Sequence, residues 1–302
     1  MTDHSKKFPL KPEVHFPSFI SHVFPGGFPL SVFGLILLLF VGWLGYETVG
    51  REVKNNLSAQ LQATLDANVV ALKLWIETKR SDIKAWSNLP SIKKDILSLV
   101  EKTSKGNWNT EKLLQTQDLK MLRQYLRPVC EQYGYIGFVL MDQTGLQIAA
   151  LLDEPIGKRM LIDRSDFFKQ SLSGKTLVSL PFPGEVALPD TEGDWRTDYP
   201  TMFVSTPVHN EAGKIVAVFS FRIRPETEFT HILETSRTGQ TGETYAFDAS
   251  GTMISDSRFN GQLKETGLLP YQSHVSAILN IHLHDPSPKQ VSKNRRVQVP
   301  RE

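Results

Sequence analysis

One cysteine in 302 residues, Cys130, is too few for an intramolecular disulfide or a cysteine-built metal site. It reads as a small buried hydrophobe. An excess of one charge is also missing. Lys and Arg number 34 against 32 Asp and Glu, a net of +2, which calls for no nucleic acid or other polyanionic partner. Catalytic signatures are absent too. There is no Gly-x-Ser-x-Gly, no His-Glu-x-x-His and no carboxylate pair of evident spacing, so the expectation is a protein that is not an enzyme.

The widest gap is a run with no charge at all. Between Val14 and Tyr46 no Asp, Glu, Lys or Arg occurs, and "LSVFGLILLLFVGWLGY" (Leu30 to Tyr46) is strongly apolar. A helix needs about 20 such residues to cross the hydrocarbon core, and Trp43 and Tyr46 suit its interface. A cleaved signal peptide is the competing reading. The residues that follow, "ETVGREVKNN", offer no small-residue cleavage site, which favours an uncleaved anchor over 30–49. Residues 1–29, rich in Pro and Phe, read as a disordered leader. Lys6, Lys7 and Lys11 in the leader, set against Arg51 and Lys54 after the span, favour a cytoplasmic N-terminus. The expectation is a single-pass protein of a plasma (inner) membrane, extracytoplasmic from about residue 50.

Beyond the span, Leu57, Leu61, Leu65, Val69, Leu72, Ile76, Ile83 and Trp86 recur at helical intervals, predicting a long amphipathic helix that stops near Pro90. Such a stripe suits a coiled-coil seam, a stalk or a helix packed on a sheet. Further helices are predicted over Ser91 to Lys102 and Glu111 to Gln132. At Tyr135 the period changes. "YIGFVLMDQTGLQIAALL", "TMFVSTPVHNEAGKIVAVFSFRI" and "TYAFDASGTMIS" are each two apolar strands around an Asp- or Asn-initiated turn with Gly three residues on. "TLVSLPF" is a further strand, and Glu226 to Glu234 a short helix. The predicted fold class is α+β: an anchor, a long helix, then an antiparallel sheet decorated with helices.

The stretch "DRSDFFKQSLSGKT" ends like a phosphate-binding loop. That motif needs a glycine five residues before Gly174, where Lys169 stands in a helical run. Gly174 is better read as the end of a helix, with Lys175 and Thr176 leading into a strand, and no cofactor is called for. His282 and His284, with Asp285, could share one strand face, but no third metal ligand is suggested, and solvated histidines are the default.

The ordered set of anchor, long helix, "FVLMDQTGLQIAA", "IDRSDFFKQSLSGKTLVSLPF", "MFVSTPVHNEAGKIVAVFSFRI" and "TGQTGETYAFDASGTMISDSRF" resembles the double Cache family, the PAS-like extracytoplasmic sensors of bacterial receptors. The resemblance spans roughly residues 50–260. It implies a helical lead-in over 50–134, a membrane-distal PAS-like subdomain over 135–235 and a membrane-proximal one over 236–283, here incomplete. Residues 284–302 read as a disordered tail. The same resemblance implies a small-molecule receptor, a homodimer through the long helix and, without an output domain, a separate signalling partner.

In the amino-acid-sensing branch of that family an Arg and an aromatic pair hold the ligand carboxylate, and a later Asp holds its ammonium. This chain offers Arg164, Asp166, Phe167 and Phe168, spaced one residue longer, and Arg222 where that Asp is expected. Reversing the charge favours an anionic ligand such as a carboxylate, because guanidinium forks match carboxylates. The bland alternative pairs Arg164 with Asp163 or Asp166 and turns Arg222 to solvent. Trp195 and Tyr199, in the long loop "PGEVALPDTEGDWRTDYP", suit either a binding lid or an exposed hairpin loop packed on the sheet. A non-catalytic interaction or scaffold module is the second functional reading.

Overall fold

The computed structural model describes residues 30–106, 108–160, 166–189, 193–235 and 242–283. The leader, the tail, His284, Asp285, Asp163 and Arg164 lie outside them. The chain divides into two units, residues 1–60 and 61–302.

Helix α1 (Leu30–Ser87) opens in the first unit with an apolar segment, the one described helix long and apolar enough to cross a membrane. Leu35, Leu38 and Leu39 there are exposed, as a lipid-facing surface requires. In the second unit the predicted stripe divides. Leu61, Leu65 and Val69 are exposed, whereas Leu72, Ile83 and Trp86, joined by Trp75 from outside the stripe, pack on the core. From Leu72 onward, therefore, the stripe is that of a helix packed on a folded domain.

Pro90 begins α2 (Pro90–Ser104) at a position whose N–H needs no partner. The single helix expected over 111–132 is two, α3 (Thr110–Leu114) and α4 (Gln117–Tyr133). The break is chemical: Thr116 ends the first and caps the second, its hydroxyl accepting from Leu119 N–H. Helix α4 ends at Gly134 (φ 68°), with Tyr135 N–H donating to Cys130 C=O. Ile92, Ile96 and Leu99 of α2 meet Leu119, Leu122 and Leu126 of α4 in one buried cluster.

The sheet is antiparallel. It contains β1 (Gly137–Asp142), β2 (Gln147–Ala150), β3 (Leu177–Val178), β4 (Phe182–Pro183), β7 (Pro200–His209) and β8 (Ile215–Ile223), in the order β2-β1-β8-β7-β3 with β4 also on β7. A separate two-stranded ladder joins β5 (Leu188–Pro189) to β6 (Trp195–Arg196). Between β2 and β3 lies α5 (Asp166–Leu172), and after β8 come a wide turn (Pro225–Phe229) and α6 (Thr230–Glu234). The strand expected in "TLVSLPF" is two short pieces, because Leu180 and Pro181 leave β7 before β4 rejoins it.

One turn design closes three hairpins. Asp142 Oδ1 accepts from Thr144 N–H and Leu146 N–H, Asn210 Oδ1 from Ala212 N–H and Lys214 N–H, and Asp248 Oδ1 from Ser250 N–H and Thr252 N–H. Gly145, Gly213 and Gly251 take the positive φ that the geometry needs. The third hairpin makes only isolated bridges, Phe247 to Met253 and Thr252 to His282, and is followed by α7 (Asn260–Glu265). The result is the α+β class expected from the sequence.

Candidate functional site

Strand partners in an antiparallel sheet share a face, and residues two apart return to it. Phe203 pairs with Arg222 and Ser205 with Ser220, so Thr201, Phe203 and Ser205 of β7 share a face with Ser220 and Arg222 of β8. The alternate residues Phe219 and Phe221 point the other way, where Phe221 stacks on Tyr135 (centroids 4.5 Å apart). One face thus meets the helical layer and the other is left for α5 and the loops after it.

On that second face α5 lays Phe167 against Phe203 (5.3 Å) and Phe182 (5.6 Å), and Phe182 meets Phe203 at 5.7 Å. The Arg222 guanidinium lies 5.0 Å above the Phe203 ring, a cation–π arrangement. Beside this cluster is a cavity of ≈ 680 Å³, lined by Gln147, Met160, Phe167, Thr201, Phe203 and Arg222, with exposed Asp166, Glu185 and Asp198 also on its wall. Its size and mixed lining are those of a small-molecule site.

The polar groups in the cavity are what mark it out. Arg222 is 6% exposed, Gln147 3% and Thr201 fully buried. Arg222 Nε, Gln147 Oε1 and Thr201 Oγ1 are each buried without a hydrogen-bond partner among the described residues. By contrast the neighbouring Ser205 and Ser220 hydroxyls bond each other at 2.7 Å, and Ser179 Oγ accepts from Phe203 N–H. An unmade hydrogen bond at a buried polar group costs about 1–3 kcal/mol, and more for a charged one. Desolvation pushes Arg222 down to about 10, with Glu154 pulling weakly the other way, so the guanidinium is still a cation at neutral pH. A buried cation stacked on an aromatic ring with an unfilled donor presents its charge to whatever occupies the cavity.

The residues flagged in the sequence are divided between places. Asp166, Phe167 and Arg222 line the cavity. Phe168 is fully buried in the core. Trp195 and Tyr199 line a different cleft of ≈ 430 Å³, opposite His274 and Asn280. Trp195 is 59% exposed, while Tyr199 is buried and its hydroxyl donates to the Glu226 carboxylate. Arg164 is outside the described residues. Gln147, Thr201, Phe203 and Phe182 had not been singled out. Their signal was a polar residue in each of two apolar strands and an i, i+2 relation between Thr201 and Phe203.

The Gly-Lys-Thr stretch forms no phosphate cradle. Gly174 N–H donates to Ser171 C=O and Lys175 N–H to Gln170 C=O, closing α5, and Thr176 Oγ1 bonds Thr206 Oγ1. Cys130 is buried, and desolvation raises its thiol to about 12, which makes it inert. Among the described residues no group of three His, Cys, Asp or Glu is placed to hold a metal ion.

No family model matches the chain, and neither does any curated protein. Solved structures do. The sensor domain of the histidine kinase DctB from V. cholerae is 18% identical over 74% of this chain and 76% of its own, with a TM-score of 0.43. The E. coli DcuS sensor domain is 13% identical over 51% and 95%, with a TM-score of 0.33. The ligand-binding domain of the P. aeruginosa PAO1 amino acid chemoreceptor PctC, in complex with GABA, is 18% identical over 63% and 78%, with a TM-score of 0.33. Similarity at this level assigns neither a ligand nor a role to any residue.

Proposed function

We propose that this protein is a single-pass membrane sensor whose extracytoplasmic sheet binds a small carboxylate-bearing molecule against Arg222. The observation that carries the reading is the buried guanidinium, stacked on Phe203 and without a hydrogen-bond partner at Nε among the described residues, in a cavity of ≈ 680 Å³. A charge in that position is costly to the empty protein, and a carboxylate that accepts from it removes the cost. Thr201 Oγ1, on the same sheet face, supplies a second polar contact. The Phe167–Phe182–Phe203 cluster excludes water and suits an apolar ligand body.

The apolar start of α1 anchors the chain, and the lysines of the leader keep its N-terminus in the cytoplasm. The exposed Leu61, Leu65 and Val69 supply a seam for a homodimer.

Thermal unfolding of the full chain in detergent, against a panel of mono- and dicarboxylates, amines and nucleobases, tests the reading. A ligand at one hundred times its Kd stabilises the folded state by about 2.7 kcal/mol. For a folded unit of this size that raises Tm by roughly 5–10 °C. A rise confined to carboxylates is expected. A panel without any rise, or one in which only amines act, refutes the proposal.

A further inference from the structure

Strand β8 delivers Arg222 to the cavity and Phe221 to the opposite face, then ends at Ile223. The chain does not pass directly into a helix. It makes the wide turn Pro225–Phe229, in which Thr227 has φ −80° and ψ −106°, outside the helical region, and Thr230 Oγ1 donates back to Pro225 C=O at 2.8 Å. Turns of this wide kind cost helical regularity and recur at functional sites. The turn sends its two acidic side chains to different parts of the fold.

Glu226 is mostly buried and receives the hydroxyl of Tyr199, the residue next to Asp198 of the cavity wall. Glu228 reaches α1 instead. Its carboxylate accepts from Trp75 Nε1 at 2.6 Å and from Lys79 Nζ at 3.0 Å and 2.8 Å. Lys79 is 5% exposed, and its ammonium also lies 4.8 Å from the centre of the Tyr135 ring. Tyr135 is the residue stacked on Phe221, the neighbour of Arg222. A closed circuit results, running from Phe221 through Tyr135, Lys79 and Glu228 back to the end of β8. A buried ammonium so placed tolerates little displacement of its carboxylate, because loss of that partner leaves the charge uncompensated.

We propose that the Pro225–Phe229 turn couples the occupancy of the Arg222 cavity to the position of α1 at Trp75 and Lys79, with Glu228 as the positioning residue. Tyr199 ties the other side of the same turn to the cavity wall, so a ligand that moves β8 or that wall moves Glu228. The physiological meaning rests on the sensor reading above. The coupling itself is a property of the unliganded chain and is tested without a ligand.

The experiment is amide hydrogen exchange on the full chain in detergent, comparing wild type, Arg222→Met, Glu228→Gln and the double variant. Arg222→Met is expected to change exchange across residues 72–80 by about two- to thirtyfold, the range of mutational effects on coupling. Helix α2 packs on α4 and β2, whereas Glu228 bonds Trp75 and Lys79 of α1, and α2 is expected to be unaffected. In the Glu228→Gln background the response at 72–80 should vanish. Should Glu228→Gln not fold, Trp75→Phe removes one donor to the same carboxylate and should weaken the response. No response at 72–80, a response shared equally by α2, or one that persists without the Glu228 carboxylate overturns the proposal. Failure of every acid to bind, with the exchange pattern as expected, would overturn the sensor reading and leave the coupling standing.

Discussion

Replacing Arg222 by methionine separates a binding role from a structural one, because the two predict opposite signs. Burial lowers the guanidinium from its ordinary value to about 10. At about 1.4 kcal/mol per pH unit, that is a desolvation cost of about 3 kcal/mol. Against it stands the stack on Phe203, worth about 2 kcal/mol at a desolvated site. Methionine keeps an unbranched stem over the ring and removes the charge. The unliganded variant should therefore be more stable by about 1 kcal/mol, a rise in Tm of roughly 2–4 °C for a folded unit of this size. Carboxylate binding should weaken at the same time. A charge-assisted hydrogen bond contributes about 1.5–3 kcal/mol, so affinity should fall by about ten- to a hundredfold or more. Thermal unfolding and titration calorimetry on the same preparations read both effects. A variant that loses stability and still binds its carboxylate would refute the reasoning, since Arg222 would then be held by contacts within the fold.

Other outcomes follow from single sites. The Glu226 carboxyl is raised above its ordinary value, first by desolvation, so its contribution to stability is full below about pH 4.5 and is lost as pH rises through the raised value. Glu226→Gln should raise Tm at pH 8 and change nothing at pH 4, whereas a pH-independent difference contradicts the assignment. Gly157 has φ +87°, and a Cβ there would collide with Thr110 Oγ1, so Gly157→Ala should cost about 2–3 kcal/mol in denaturant unfolding. Asp142→Ala removes the acceptor of Thr144 N–H, Thr144 Oγ1 and Leu146 N–H and should cost about 1–3 kcal/mol, and an unchanged midpoint would show the turn to be held by its backbone alone. Removal of residues 1–60 should shift the protein from the membrane pellet to the supernatant after lysis without detergent, and a pelleted, folded product would contradict the anchor.

Local chemistry made the elements legible. The three hairpin turns stand in the sequence as Asp142, Asn210 and Asp248 with a glycine three residues on, because the side chain and the glycine act within five residues of each other. Helix α4 shows its end at Gly134 for the same reason. The break at Thr116 was harder to see, because a threonine inside a run of good helix formers is only a weak signal until its hydroxyl is found on Leu119 N–H. The site was legible only in part. Arg222 is picked out by the resemblance, as the residue standing where an Asp is expected, while Thr201 and Gln147 are unremarkable polar residues. Trp195 and Tyr199 drew notice as aromatics in a long loop, yet they line another cleft.

By itself the sequence determined an apolar segment fit to span a membrane, a long helix, three hairpins and an α+β plan, since each depends on period and turn chemistry over a few residues. Tertiary structure decided what the strands do together. The pairing of β1 with β8, across about 80 residues of chain, brings Gly137 beside Arg222, and the pairing of β7 with β8 sets Phe203 under the guanidinium. Whether an arginine in a strand faces water, a carboxylate or an unfilled cavity depends on what packs over its face. Here α5 and the loop to β4 cover that face and leave the charge buried, with a donor unmet among the described residues, which no count along the chain reveals.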